Sequence, residues 1–282
     1  MWDIWVWCGM LVAVFGDVHG ALDALYWSVA RYEAKYGVEV VAVLQAGDMG
    51  VWPDPSHIDW ATGKRSAEDP TELGVAPYVS GGKRATHPTW FVRGNHEDFE
   101  FLMEKRNRCI DPYGMIHFIF AGPATISRGG ERLVVAGLGG IESAAGDRLP
   151  HDATRWKYIA REEVDALSAL GEGGVDVLLT HDGPLAHSAV DRPRAGSKAI
   201  LELVERLQPR YHFFGHYGGM RGEPAPPHRI GRTLSVCLNQ PGVYKLPARE
   251  GGMGILDTSL WSFRFVGRGE LEPPPTTATK HV

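Results

Sequence analysis

Apolar residues in this chain come in short runs that end abruptly on polar ones. LVAVFGD (11–17), EVVAVLQAGD (39–48), TWFVRGNHE (89–97), MIHFIFAG (115–122), RLVVAGLGG (132–140), VDVLLTHDGP (175–184) and RYHFFGH (210–216) each read as a strand. Helical patterns lie between them. Residues 21–35 place Leu22, Leu25, Tyr26 and Val29 at helical spacing, and 97–108 and 151–170 read as further helices. SKAILELVERL (197–207) is a helix with Ser197 as N-cap and Pro209 just past its end. RTLSVCLNQ, GGMGILD and SFRFVG are three more strand candidates. Apolar strands alternating with helices predict an α/β fold whose strands are buried on both faces.

The pattern is that of one domain over residues 10–266, preceded by a short extension. It is interrupted at 52–88, where Pro, Gly and charged residues replace periodicity. A stretch of that length inside a domain reads as an insertion, either a flap over a site or a disordered segment. The tail from Gly267 is rich in Pro and Thr and reads as disordered.

Composition narrows the function classes. Over 282 residues, 44% are apolar and 22% charged, with a net charge of −5. That balance argues against a broad basic face for duplex DNA. Three widely separated cysteines (Cys8, Cys109, Cys237) do not make a disulfide framework and point to a reducing, cytoplasmic setting. No apolar run is long enough to span a membrane.

Five of the strands end in groups that bind metals or move protons: Asp17 and His19, Asp48, Asn95 and His96, His181, and His216. In open α/β sheets such strand ends share one edge, where ligands bind. Each residue taken singly reads as a turn, cap or buried residue. Taken together they form an oxygen and nitrogen donor set that suits Mn, Fe or Zn. Two such ions activate a shared water and clamp the oxygens of a displacement at phosphorus. Asp48, on a central strand, is the candidate bridging carboxylate. His96 is the candidate proton donor to the leaving oxygen.

The ordered set DVHG, GD, GNHE, THD and GH, each after a strand, resembles the calcineurin-like metallophosphoesterase superfamily. That resemblance implies a four-layer α/β/β/α sandwich, a dinuclear site and hydrolysis by metal-bound hydroxide. One metal would take Asp17, His19 and Asp48; the other would take Asp48, Asn95, His181 and His216. Over about residues 11–218 the order and spacing are similar to the RNA lariat debranching enzymes, which hydrolyse 2′–5′ phosphodiester bonds. The substrate class implied is RNA or a nucleotide.

Two positions depart from that branch. Asp17 stands where it typically carries a cysteine, and Gly218 where it keeps a second histidine. The missing histidine leaves the Asp17 site one ligand short and implies a weaker, more open metal position. RGNHE, with Arg93, resembles the Ser/Thr protein phosphatases, in which the arginine grips phosphate. Their GDxxDRG is absent, since Asp48 is followed by Met49, Gly50 and Val51. A phosphomonoesterase and a binding scaffold on the same fold therefore remain open alternatives at this level.

Overall fold

Strand Leu11–Phe15 (β1) divides its side chains between two cores. Leu11, Ala13 and Phe15 join one buried cluster, whereas Val12 and Val14 join another. A strand with period-two side chains that are apolar on both faces must be covered on both. In this computed structural model, which describes residues 9–143, 151–190, 192, 194–218, 225–241 and 250–271, helices cover one face and a second sheet covers the other.

The first sheet has the order β12-β11-β1-β2-β3-β4. Its remaining strands are Val40–Gln45 (β2), Thr89–Phe91 (β3), Ile116–Phe118 (β4), Met253–Asp257 (β11) and Ser262–Phe265 (β12). The strands β1 to β4 run parallel, and β11 and β12 add antiparallel at one edge. The second sheet has the order β5-β6-β7-β8-β10-β9. It comprises Gly122–Arg128 (β5), Glu131–Leu138 (β6), Val177–Thr180 (β7), Tyr211–Phe214 (β8), His228–Ile230 (β9) and Thr233–Cys237 (β10). In it β6, β7, β8 and β10 are parallel.

Val12, Val14, Leu44 and Val92 from the first sheet meet Val135, Val177, Leu179 and Phe213 from the second. Helix Leu22–Tyr36 (α1) lays Leu22, Leu25, Tyr26 and Val29 on the outer face of the first sheet. Helices Arg161–Ser168 (α5) and Lys198–Leu207 (α6) cover the second with Leu167, Ile200, Leu203 and Leu207. The result is the expected α/β/β/α layering.

Ser197 caps α6 as its sequence position predicts, its hydroxyl accepting from the Ile200 N–H at 3.2 Å. The expected helix over 151–170 is not continuous. A 3-10 turn, Ala153–Lys157, gives way at Tyr158 to an extended bridge with Ile141 before α5 begins. The Arg93 guanidinium donates to the carbonyls of Trp156 and Tyr158 at this break. A tertiary contact thereby takes two carbonyls that a helix would have used.

The 52–88 insertion has its own structure: helices Trp60–Glu68 (α2) and Ala76–Val79 (α3), with 3-10 turns at Pro55–His57 and Pro70–Leu73. The tail read as disordered from Gly267 starts as a short helix, Arg268–Leu271 (α7), with Leu271 buried beside α1. Residues 272–282 and Cys8 lie outside the described residues. Helix Phe99–Glu104 (α4) follows the GNHE turn and is capped by Asp98.

Candidate active site

Parallel strands from both sheets point their carboxyl ends to one place. Asp17 follows β1, Asp48 follows β2, Asn95 and His96 follow β3, His181 follows β7 and His216 follows β8. All but His96 are buried. One ligand atom each from Asp17, Asp48 and His181 lies within 4.8 Å of the others.

Asp48 divides this group. Its Oδ1 faces His181 Nε2 at 3.8 Å, and its Oδ2 faces His19 Nε2, also at 3.8 Å. The same Oδ1 accepts the backbone N–H groups of Asn95 (2.7 Å) and His96 (2.8 Å). Gly94 makes this possible: a Cβ there would come within 2.0 Å of Asp48 Oδ1. Asp17 is anchored in a similar way, its Oδ1 accepting the His216 N–H at 2.9 Å.

The orientation of His181 determines what the group can hold. Its Nδ1 lies 2.9 Å from the Ala46 carbonyl, which can only accept, so the ring hydrogen sits on Nδ1. The Nε2 lone pair then faces Asn95 Oδ1 at 3.0 Å and Asp48 Oδ1 at 3.8 Å. A divalent cation between these acceptors would satisfy all of them at once. The described ion-pair partners of Asp17 and Asp48 are histidines. Burial pushes the Asp17 carboxyl up to about 6 and holds His19 down to about 4. Burial also opposes ionisation of Asp48, but His181 and His19 beside it hold its carboxyl below the ordinary range. A neutral imidazole is the form that binds metal. The residues present therefore fit divalent metal.

His19, Asp48 and His216 carry positive φ angles of 42°, 51° and 66°. Left-handed backbone at a residue other than glycine costs about 1–3 kcal/mol and gathers at sites where geometry is imposed by function.

The insertion supplies three groups that sequence reasoning missed. Asp59, the N-cap of α2, places Oδ2 2.7 Å from His96 Nδ1. Burial opposes its ionisation, but hydrogen bonds from His96 and the Thr62 N–H hold its carboxyl down to about 2. Glu72 and Arg65 pair at 3.0 Å and stand over His19, with Glu72 Oε2 3.9 Å and Arg65 Nη2 3.5 Å from its Nδ1. Burial raises the Glu72 carboxyl to about 7. The only signal for Asp59 was an Asp before a helical start.

One expected role does not match its residue's placement. Arg93 is fully buried; its Nη2 donates to Glu163 at 2.8 Å, and its guanidinium stacks near Phe120 and Trp156. It is held in the protein interior, not presented to a phosphate. Tyr217, beside the vacated second-histidine position, donates its hydroxyl to Asp182 and packs on Phe214. Gly218 itself is tightly enclosed: a Cβ would lie 2.4 Å from the Gln240 N and 2.5 Å from Asn239 Oδ1.

Comparisons with known proteins bear on the family and the fold. A sequence model of the calcineurin-like phosphoesterase family matches residues 10–218. The curated relatives include the lariat debranching enzyme of Arabidopsis thaliana, 27% identical over 73% of this chain and 54% of that protein. Those of Danio rerio (29% identical) and Homo sapiens (27%) also match over 73% of this chain, and over 40% and 42% of their own lengths. The chain thus spans about half the length, or less, of these relatives. In fold it is similar to the protein TT1561 of Thermus thermophilus, with a TM-score of 0.55 and 18% identity over 92% of this chain and 98% of that one. GAP50 of the Plasmodium inner membrane complex is similar at a TM-score of 0.52 and 13% identity, over 94% and 86% of the two chains. No described helix is long and apolar enough to cross a membrane. With its five strand-end motifs on one site and three quarters of its length matched, the chain belongs to the calcineurin-like phosphoesterase family.

Proposed function

We propose that this chain is a metal-dependent phosphodiesterase acting on a nucleotide or nucleic acid, with RNA the first class to test. The observation that carries the reading is the divided Asp48 carboxylate, one oxygen toward His181 and the other toward His19. Asp17, His19 and Asp48 would hold one divalent ion, and Asp48, Asn95, His181 and His216 a second. The donor set suits Mn, Fe or Zn. Bound there, the pair supplies an activated water and positive charge for the phosphoryl oxygens.

The remaining work falls to His96 and Asp59. With His96 Nδ1 engaged by Asp59, proton exchange is left to Nε2, the atom assigned to protonate the leaving oxygen. Asp59 fixes the orientation of the ring. The placement of Arg93 supports a diester over a monoester. A monoester brings a second negative charge, and the arginine of RGNHE is committed to Glu163. The lariat debranching relatives support RNA as the substrate class. Free thiols at Cys109 and Cys237 suit a reducing, cytoplasmic setting.

The test compares bis-p-nitrophenyl phosphate with p-nitrophenyl phosphate on protein reloaded with Mn, Fe or Zn. The diester should be hydrolysed faster, and Asp48→Asn should lose both metal and turnover while remaining folded, since Asn tolerates a left-handed backbone. Faster monoester turnover, or full activity in Asp48→Asn, would overturn the reading.

A further inference from the structure

The 52–88 segment brings a permanent cation to the metal site. Arg65, in α2, sets its guanidinium beside His19, with Nη2 3.5 Å from the ring Nδ1. That distance is too long for a strong hydrogen bond, so the two groups are neighbours. Among the described residues, Arg65 is the lysine or arginine whose side chain reaches a candidate ligand. Arg93, whose motif suggests a grip on phosphate, is fully buried and tied to Glu163.

The guanidinium is held by one edge and open at the other. Its Nε donates to Glu72 Oε1 at 3.0 Å, and its Nη2 donates to the Thr62 hydroxyl at 3.0 Å. Nη1, with two hydrogens, makes no hydrogen bond among the described residues. The side chain is 31% exposed, and Nη1 is not sealed from solvent. The support is built into the fold. Asp69 caps the 3-10 turn at Pro70–Leu73, accepting from the Thr71 N–H at 2.9 Å and its hydroxyl at 2.7 Å. This turn sits on the DVHG loop: a Cβ at Gly20 would lie 2.1 Å from the Thr71 carbonyl oxygen, and one at Gly74 would lie 2.4 Å from the Gly20 carbonyl oxygen. Glu72, and Arg65 with it, is thereby fixed to the loop that carries Asp17 and His19. A donor placed before its ligand arrives loses little freedom on binding.

We propose that Arg65 is a phosphate-binding residue of this site, its open Nη1 edge taking a non-bridging oxygen of the phosphoryl group. The proposal rests on the phosphodiesterase reading for its role in turnover. A guanidinium is a planar fork of donors that matches phosphate oxygens. A single guanidinium, already shared with Glu72, suits the one negative charge of a diester. Arg65 thus does from α2 what Arg93 lies too deep to do.

The test uses the full chain loaded with Mn and inorganic phosphate as the probe. Phosphate binding is followed by phosphorus NMR, through line broadening from bound Mn, and Mn per chain is measured alongside. Arg65→Gln should weaken phosphate binding by about 10- to 100-fold with Mn content and Tm unchanged. Arg65→Lys, which keeps the charge without the fork, should recover part of the loss. Glu72→Gln keeps an oxygen for the Arg65 Nε–H and removes the countercharge, so phosphate binding should hold or tighten. In turnover of bis-p-nitrophenyl phosphate, Arg65→Gln should raise KM about tenfold and lower kcat less. Phosphate binding unchanged in Arg65→Gln, or lost equally in Glu72→Gln, overturns the assignment even if diesters are cleaved. So does a wild-type chain that holds Mn but no phosphate, or an Arg65→Gln chain that loses Mn and phosphate together. Phosphate binding weakened in Arg65→Gln alone, with no diester cleaved by any metal form, sustains the phosphate contact and overturns the phosphodiesterase reading instead.

Discussion

Asp59, inside the 52–88 segment, and His96, 37 residues further along the chain, meet at 2.7 Å through Oδ2 and Nδ1. The 52–88 segment thus reaches into the site through a side chain. If Asp59 positions His96 as an acid, Asp59→Asn should lower kcat about 10- to 100-fold on diesters with poor leaving groups. It should change little on p-nitrophenyl esters, whose leaving group needs no proton. A merely structural role would depress both alike, so the ratio of the two rates decides.

Gly218 is enclosed by Asn239 and Gln240. Restoring the family's second histidine by Gly218→His should therefore destabilise the fold, by about 1–3 kcal/mol as for other overpacked positions. It should not tighten metal binding. Thermal unfolding with and without Mn is the check; a variant that is both stable and tighter for metal would contradict the enclosure.

Arg93 and Glu163 form a buried ion pair. Removing one partner leaves an uncompensated charge, so Arg93→Ala should cost about 3–5 kcal/mol of stability. Denaturant unfolding measures this. If stability held and only KM rose, Arg93 would belong to substrate recognition after all.

His212 is buried between Thr180 (2.9 Å) and Ser235 (3.0 Å), and burial holds its imidazole down to about 3 from the ordinary 6.5. Between those two pH values the unfolded chain takes up a proton that the folded chain refuses. Stability is therefore lost as pH falls from about 6.5 toward 3, at up to about 1.4 kcal/mol per pH unit from this group. His212→Gln should flatten the dependence of Tm on pH between about 4 and 6. An identical slope in the variant would rule this group out as its source.

The strand ends were legible because each is an apolar run stopped by a polar residue, and Asp17, Asp48, Asn95, His181 and His216 all sit at such stops. Asp59, Arg65 and Glu72 were not, because they lie in a stretch without periodicity and reach the site only through tertiary packing. Arg93 misled for the opposite reason: its motif position suits phosphate, but its partner, Glu163, is 70 residues away. The helix expected over 151–170 failed at the carbonyls that the same arginine claims. The mostly exposed β5 (Gly122–Arg128) and the three-residue β9 (His228–Ile230) carry too little apolar pattern to stand out.

The most direct test of the central claim is metal content per chain on protein purified without chelator, followed by cleavage of a branched 2′–5′ RNA and a linear control as Mn, Fe and Zn are returned. Two metals per chain, metal-dependent cleavage and preference for the branched RNA are the predicted result. A chain that binds no divalent metal, or that is fully loaded yet cleaves neither RNA, would contradict it.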